Sequence, residues 1–199
     1  MIEKLRIYVS RVLGVLLLLV ILFSSSYWES TMPAVSVVLF VLGAVLVGIA
    51  SLGRLWCSVY IAGYKTDRLI ALGPYSMCRN PLYFFSLLGA LGVGLATETL
   101  VVPIVIVVAF AIYYPLVIKS EEAGLKKIHT EAFDKYCQRV PRFFPKLSYL
   151  KEPEEYIVKP VIFKRHMFDA LWFIWILGIL ELIEGLHDLN ILPTFLILY

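Results

Sequence analysis

Long runs of uncharged, apolar residues alternate with shorter polar stretches along this chain, and the runs have the length of membrane crossings. Pro33–Leu52 is 20 residues without a charge, Pro81–Thr97 is 17 and Thr99–Ile118 is 20, each close to the ~20 residues a helix needs to cross ~30 Å of hydrocarbon. An earlier run, Val12–Phe23, follows the basic residues Lys4, Arg6 and Arg11. No small-residue cleavage site comes after it, so the pattern predicts a retained helix rather than a signal peptide. Phe168–Ile183 holds acidic residues only near its ends, at Asp169 and Glu181, and its Trp172, Phe173 and Trp175 suit a membrane border. It predicts an additional C-terminal helix over about residues 165–185. The tail, Leu189–Tyr199, has 11 residues with Pro193 among them, too short to span at ~1.5 Å per residue, and is expected to be interfacial or re-entrant.

The expected fold is therefore an all-α integral membrane bundle of about five transmembrane helices, forming a single membrane domain over residues 1–199. Composition agrees: 60% of residues are hydrophobic, 17% are charged and the mean hydropathy is +0.84, more apolar surface than a soluble domain can cover. Charge adds an orientation. Threading five spans from an inside N-terminus puts all 18 Lys and Arg residues on one side, while the outer connections hold Glu29, Glu98, Glu184 and Asp188. The positive-inside rule then makes the N-terminus cytoplasmic. Three scattered cysteines, Cys57, Cys78 and Cys137, fit neither a disulfide framework nor a zinc site, and His129, His166 and His187 form no ligand pair. No metal and no nucleic-acid partner is expected.

Two segments on the basic side, Gly53–Asn80 and Lys119–Arg165, are too long for plain connectors, which predicts a functional site facing the cytoplasm. The first ends in GPYSMCRNPLY, Gly73–Tyr83, where a Gly-Pro turn, Arg79 and an Asn-Pro helix start lie just before an apolar run. A helix N-terminus with unpaired amides can seat a carboxylate or phosphate. The second opens with Glu121 and Glu122, then places Leu125, Ile128, Phe133 and Tyr136 on one face, as in a helix lying along the membrane with its apolar side down. In RVPRFFP, Arg139–Pro145, two prolines stop that helix and Arg139 and Arg142 are placed to face a phosphate or bound anion. Pro103 and Pro115 predict a kink in the fourth span, and Tyr113 and Tyr114 are expected as interfacial anchors.

Taken together, GPYSMCRNPLY, the Glu121-Glu122 pair and FDKYCQRVPRF (Phe133–Phe143) resemble the isoprenylcysteine carboxyl methyltransferases and the related phospholipid methyltransferases, integral membrane enzymes that use S-adenosylmethionine. The likeness covers about residues 53–145. It implies an S-adenosylmethionine-dependent methyltransferase whose partners are membrane lipids and a hydrophobic or lipid-anchored small acceptor. Cofactor contacts fall on Asp67, Arg68, Leu69 and Ile70, on Tyr75, on Asn80, Pro81, Leu82 and Tyr83, and on Glu121. Glu122 and Arg79 are the implied catalytic residues, and Arg139 and Arg142 the substrate-binding ones.

The chain departs from the pattern twice. Asn80 stands where the family usually has His, which keeps hydrogen bonding but not titration near neutrality. Val117 stands where the carboxyl methyltransferases carry a substrate-holding Arg, so an anionic acceptor needs another cation, from Arg79, Arg139 or Arg142. Two other readings remain open at this level. One is an NADPH-dependent sterol-type reductase of the same broad superfamily, and the other is a non-catalytic membrane structural or adaptor protein.

Overall fold

The computed structural model describes residues 14–16, 18–64 and 68–199. Asp67, the basic residues at the N-terminus and part of the Val12–Phe23 run lie outside the described residues; residues 14–16 and 18–22 of that run are helical. The ordered elements are β1 (Ser24–Ser26), α1 (Tyr27–Thr31), α2 (Pro33–Ile61), α3 (Pro74–Met77), α4 (Pro81–Leu95), α5 (Val101–Arg139), a single 3-10 turn (Leu147–Tyr149), α6 (Pro160–Asp188) and β2 (Leu196–Leu198).

Among the described residues, α2, α5 and α6 are long and apolar enough to cross a membrane, whereas α4, at 15 residues, rises only ~22 Å. The sequence pattern extends the α4 run to Thr97, but Ala96 and Thr97 fold into the turn after the helix. Each long helix shows one stripe of exposed large apolar side chains: Val38, Leu42, Val45, Ile49 and Leu52 on α2, Ile104, Val108, Ile112 and Leu116 on α5, and Phe168, Trp172, Trp175, Ile179 and Leu182 on α6. Spacings of three and four put each stripe on one helical face, the face a bilayer covers. The molecule is a membrane helical bundle.

Proline at the first helical position starts α2, α4 and α6, where its missing N–H costs nothing. Helices α2 and α4 touch backbone to backbone: a Cβ on Gly43 would lie 2.5 Å from the Gly92 carbonyl oxygen. Small residues permit this approach, and within a bilayer such packing holds helices together in place of hydrophobic exclusion. Two buried clusters flank the seam. Val47, Val93, Ala96 and Leu180 lie toward one end, and Cys57, Tyr60, Tyr75 and Phe85 lie toward the end that carries α3.

One expectation changes. The span beginning near Thr99 runs on as helix past Glu121, and α5 breaks only at Thr130, at φ 24°, ψ −98°, where a second helical segment turns off toward Arg139. The face of Leu125, Ile128, Phe133 and Tyr136 therefore turns toward a cavity beside α3 and α4 instead of lying flat on the membrane. The tail is tied down by backbone pairing: β2 pairs in parallel with β1, and the Tyr199 carbonyl accepts from the amides of Leu100 and Val101 at 2.7 and 2.9 Å, satisfying donors at the start of α5.

Candidate functional site

The loop Gly73–Asn80 owes its shape to glycine and to side-chain bonds that replace a longer helix. Gly73 has φ +56°, and a Cβ there would lie 2.3 Å from the Tyr60 ring, so no other residue fits without displacing that tyrosine. The segment after α5 laces this loop in place. Arg79 donates its amide to the Pro141 carbonyl at 2.8 Å, Lys146 to Met77 at 3.1 Å and Gly73 to Lys151 at 2.8 Å, while the Lys151 amide donates to Ser76 Oγ at 2.8 Å. Tyr136 donates its hydroxyl to the buried Tyr75 carbonyl at 2.7 Å. Further along, Trp56 donates to Glu152 at 3.0 Å and Tyr156 to the Tyr60 carbonyl at 2.8 Å.

This lacing encloses a cavity of about 260 Å³, near the lower end of the ~300–1,000 Å³ common for small-molecule sites. Its wall includes Arg68, Leu69, Ile70, Tyr75, Arg79, Asn80, Leu82, Tyr83, Glu121 and Glu122. Segments separated by about forty residues of chain thus converge on one volume. Of the residues implied by the sequence, Pro81 is buried beneath the wall and Arg139 is exposed, bonding only the Lys135 carbonyl at 3.3 Å; neither lines the cavity. Arg142 acts at its margin through Glu122.

Glu122 is the electrostatic centre of the site. Its Oε1 accepts from Arg79 Nη1 at 3.2 Å and from Asn80 Nδ2 at 3.2 Å, and its Oε2 accepts from Arg142 Nη2 at 3.1 Å. Asn80 also donates to the Arg142 carbonyl at 2.9 Å, so both of its amide hydrogens are engaged. The carboxylate and Arg79 are 15% and 16% exposed, so the pair is largely but not wholly shielded from water. The asparagine thus joins an ion-pair network with its amide, a task that needs no titration.

The helix start is a weaker anion seat than its Asn-Pro sequence implies. Pro81 has no amide hydrogen, and Tyr83 donates its amide to the Asn80 carbonyl at 3.2 Å. Leu82 carries the remaining first-turn amide at the cavity wall, and Arg68, exposed and set over the Tyr64 ring at 5.4 Å, supplies a nearby cation. Two buried polar atoms at the wall have no hydrogen-bond partner among the described residues, the Tyr75 hydroxyl and Arg79 Nε. Buried orphans of this kind each cost free energy unless a ligand satisfies them. Burial drives the Tyr75 phenol well above its ordinary range, keeping it a neutral donor, and pushes the Cys78 thiol up to about 12, so that Cys78 is no nucleophile at neutral pH.

Sequence reasoning missed Ile61 and Gly124 as wall residues and read Leu125, Ile128, Phe133 and Tyr136 as a membrane-facing stripe. Their helical spacing was visible; which neighbour covered them was not. It also missed a group at the opposite end, where the carboxylates of Glu29, Glu98 and Glu184 lie within 4.8 Å of one another. Burial first, then the charges of Glu29 and Glu181, raises the Glu98 carboxyl; burial and Asp188 raise Glu29, with His187 lowering it in part. Ser36 donates its hydroxyl to Glu98.

A membrane helical bundle with an acid-and-tyrosine cavity where loops leave the bilayer is the class of protein the geometry defines. The chain belongs to the phospholipid methyltransferase family, whose model matches residues 30–132. That stretch holds α2, α3, α4, the loop between them and the Glu121-Glu122 pair, and it ends just before Phe133. Two curated relatives extend the likeness over nearly the whole chain. The cobalt-zinc-cadmium resistance protein CzcN of Cupriavidus metallidurans is 41% identical over 187 residues, covering 94% of this chain and 85% of that protein. The nickel-cobalt-cadmium resistance protein NccN of Alcaligenes xylosoxydans xylosoxydans is 37% identical over 193 residues, covering 97% and 89%. No solved structure matches.

Proposed function

We propose that this protein is an S-adenosylmethionine-dependent methyltransferase that works within the membrane on a lipidic or hydrophobic acceptor. Its five crossings leave the N-terminus and the cavity on the cytoplasmic side, and the chain forms one membrane domain. The observation that carries this reading is the convergence of Arg68–Ile70, Tyr75, Asn80, Leu82, Tyr83 and Glu121 on one cavity with an orphaned buried hydroxyl, in a chain of the phospholipid methyltransferase family.

The donor set fits the cofactor. Glu121 suits its amino group or ribose hydroxyls, the Tyr75 hydroxyl and the Leu82 amide suit acceptor atoms, Arg68 suits a carboxylate, and the Tyr83 ring face suits a sulfonium. Bound there, S-adenosylmethionine supplies a methyl group whose carbon–sulfur bond breaks, its electron pair staying on sulfur, as the acceptor's lone pair takes the carbon. The protein's contribution is alignment and exclusion of water. Arg79 and Glu122, bonded to one another, form the charged side of the catalytic pocket and fix Asn80 and the RVPRF segment around it. A carboxylate acceptor leaves no proton to be moved, whereas an amine sheds one, and Glu122 is the base within reach once an arginine releases it.

The test is transfer of radiolabelled methyl from S-adenosylmethionine into the organic-soluble fraction by protein in nanodiscs supplied with a total lipid extract. Label above that of Glu121→Ala supports the reading; equal label refutes it. A reductase predicts instead that NADPH raises Tm, since a ligand that prefers the native state stabilises it. The cations available count against that alternative, because Arg79 is already committed to Glu122. The relatives' names supply a physiological setting: tolerance of cobalt, zinc or cadmium by cells expressing the wild type should fall with Glu121→Ala, whereas a purely structural role predicts equal tolerance.

A further inference from the structure

A second, larger cavity of about 1120 Å³ lies between α2, α4, α5 and α6, with Gly14 of the N-terminal segment also at its wall. Its wall is aromatic and aliphatic, with Phe110, Tyr113, Tyr114, Trp172 and Phe173 prominent, and one cation, Arg54, reaches it from α2. Tyr113 and Tyr114, expected as interfacial anchors, line this space. Arg54 donates through Nη1 to Ser86 Oγ and through Nη2 to the Asp169 carbonyl at 3.3 Å, and its guanidinium stands 5.6 Å over the Phe173 ring. Its Nε is buried with no partner, and among the described residues it makes no ion pair. The nearest acid, the Asp169 side chain, is 66% exposed and sits 3.7 Å from His166.

Near the end of its span an arginine can reach water along its stem, yet this one turns toward the bundle interior, where an ionisable side chain marks a ligand or pathway. Here hydroxyl and carbonyl oxygens and a ring face contact it, Asp169 acts on it only from a distance, and one N–H is left without a partner. Arg79 is held by Glu122 at the first cavity, and Arg139 and Arg142 are exposed, so none of the three lines this one. One aromatic layer separates the two cavities. Tyr83, on the first, packs edge-on against Tyr114, on the second, with ring centroids 5.2 Å apart, and Tyr114 stacks on Phe110 at 3.5 Å.

We propose that this cavity is the acceptor site and that Arg54 is its specificity-determining anchor, pairing with the oxyanion of an amphiphile whose chains lie among the aromatic residues. The inference rests on the methyltransferase reading, since it puts the cofactor on one side of the Tyr83–Tyr114 contact and the acceptor on the other; the two rings must part for the acceptor's nucleophile to reach the sulfonium methyl, whose bond to sulfur breaks as the new bond forms. Two sources share the chemistry, a lipid phosphodiester and a lipid-borne carboxylate.

The test compares binding of dioctanoyl phosphatidylglycerol, dodecanoate and neutral dioctanoylglycerol to detergent-purified protein by titration calorimetry, with S-adenosylmethionine titrated separately. The wild type is expected to bind one anionic probe at least tenfold more tightly than dioctanoylglycerol. Arg54→Gln should erase that margin, Arg54→Lys should keep part of it, and both should bind S-adenosylmethionine as the wild type does. Preference for phosphatidylglycerol identifies a phosphodiester head, and preference for dodecanoate a carboxylate. Equal binding of all three by the wild type overturns the proposal without any variant, as does a margin that survives in Arg54→Gln. Loss of S-adenosylmethionine binding by the wild type would instead overturn the methyltransferase reading.

Discussion

Replacing Glu122 with glutamine isolates the network that shapes the site. The substitution keeps the side chain's volume and one oxygen for Asn80, but it leaves Arg79, 16% exposed, facing no anion. At 3.2 Å, with an effective dielectric of ~20, two unit charges attract by ~5 kcal/mol before desolvation is counted. Removing one partner of a buried pair has a net cost of about 3–5 kcal/mol, because the survivor stays desolvated. Arg142 adds little: at 46% exposed it is held largely by water, and such pairs are worth ~0–1 kcal/mol. For a chain of this size each kcal/mol corresponds to about 2–4 °C, so Tm should fall by roughly 6–20 °C. Circular dichroism during heating, in nanodiscs, reads it. The double variant Arg79→Met/Glu122→Gln removes both charges and should be more stable than Glu122→Gln alone, a coupling of about 0.5–3 kcal/mol. Additive losses, or an unchanged Tm in Glu122→Gln, would refute the ion-pair account and return Glu122 to a purely chemical role.

Other perturbations reach separate parts of the account. Tyr136→Phe strands the buried Tyr75 carbonyl, now bonded at 2.7 Å, and should cost about 1–3 kcal/mol while weakening S-adenosylmethionine binding in calorimetry; unchanged affinity would contradict the lacing of α5 to the loop. Gly43→Val places a Cβ 2.5 Å from the Gly92 oxygen, so the α2–α4 seam should open and the variant should lose its cooperative melting transition. The Glu29 and Glu98 carboxyls are raised above their ordinary value of 4.5. The folded state therefore binds their protons more tightly than the unfolded one, and the stability they contribute is complete below pH 4.5 and fades as pH rises through the folded-state values. Glu98→Gln, which keeps an acceptor for Ser36, should have a higher Tm than the wild type at pH 8 and lose that advantage near pH 4; a lower Tm at pH 8 would show the carboxylate to be stabilising. Cys78, fully buried with its thiol pushed up to about 12, should resist maleimide at pH 7 in the folded protein, and rapid labelling would contradict the packing of that loop.

The sequence carried the helices and most of the cavity wall because both depend on local pattern. Twenty uncharged residues can satisfy their backbone in a membrane only as a helix, and so α2 and the apolar half of α5 were readable from Pro33–Leu52 and Thr99–Ile118. Gly73–Tyr83 and Glu121-Glu122 were readable as site material because polar groups crowd where spans end. What pattern could not show is which side chain satisfies which. The pairing of Glu122 with Arg79 and Arg142, and the engagement of Asn80, join residues about twenty to sixty positions apart. Arg54 escaped notice for the same reason. In sequence it is one more positive charge at the end of a span; only the packing of α4, α5 and α6 around it shows a guanidinium at an open cavity with no ion pair among the described residues. The strand pairing of the tail was not readable because its partner, Ser24–Ser26, lies far from it along the chain.

Calorimetric titration of S-adenosylmethionine into the wild type in lipid nanodiscs, with NADPH titrated separately and Glu121→Ala beside them, tests the central claim most directly. The account predicts one site for S-adenosylmethionine, weakened at least tenfold in Glu121→Ala, and no heat from NADPH. Binding of NADPH, or of neither compound, would contradict it.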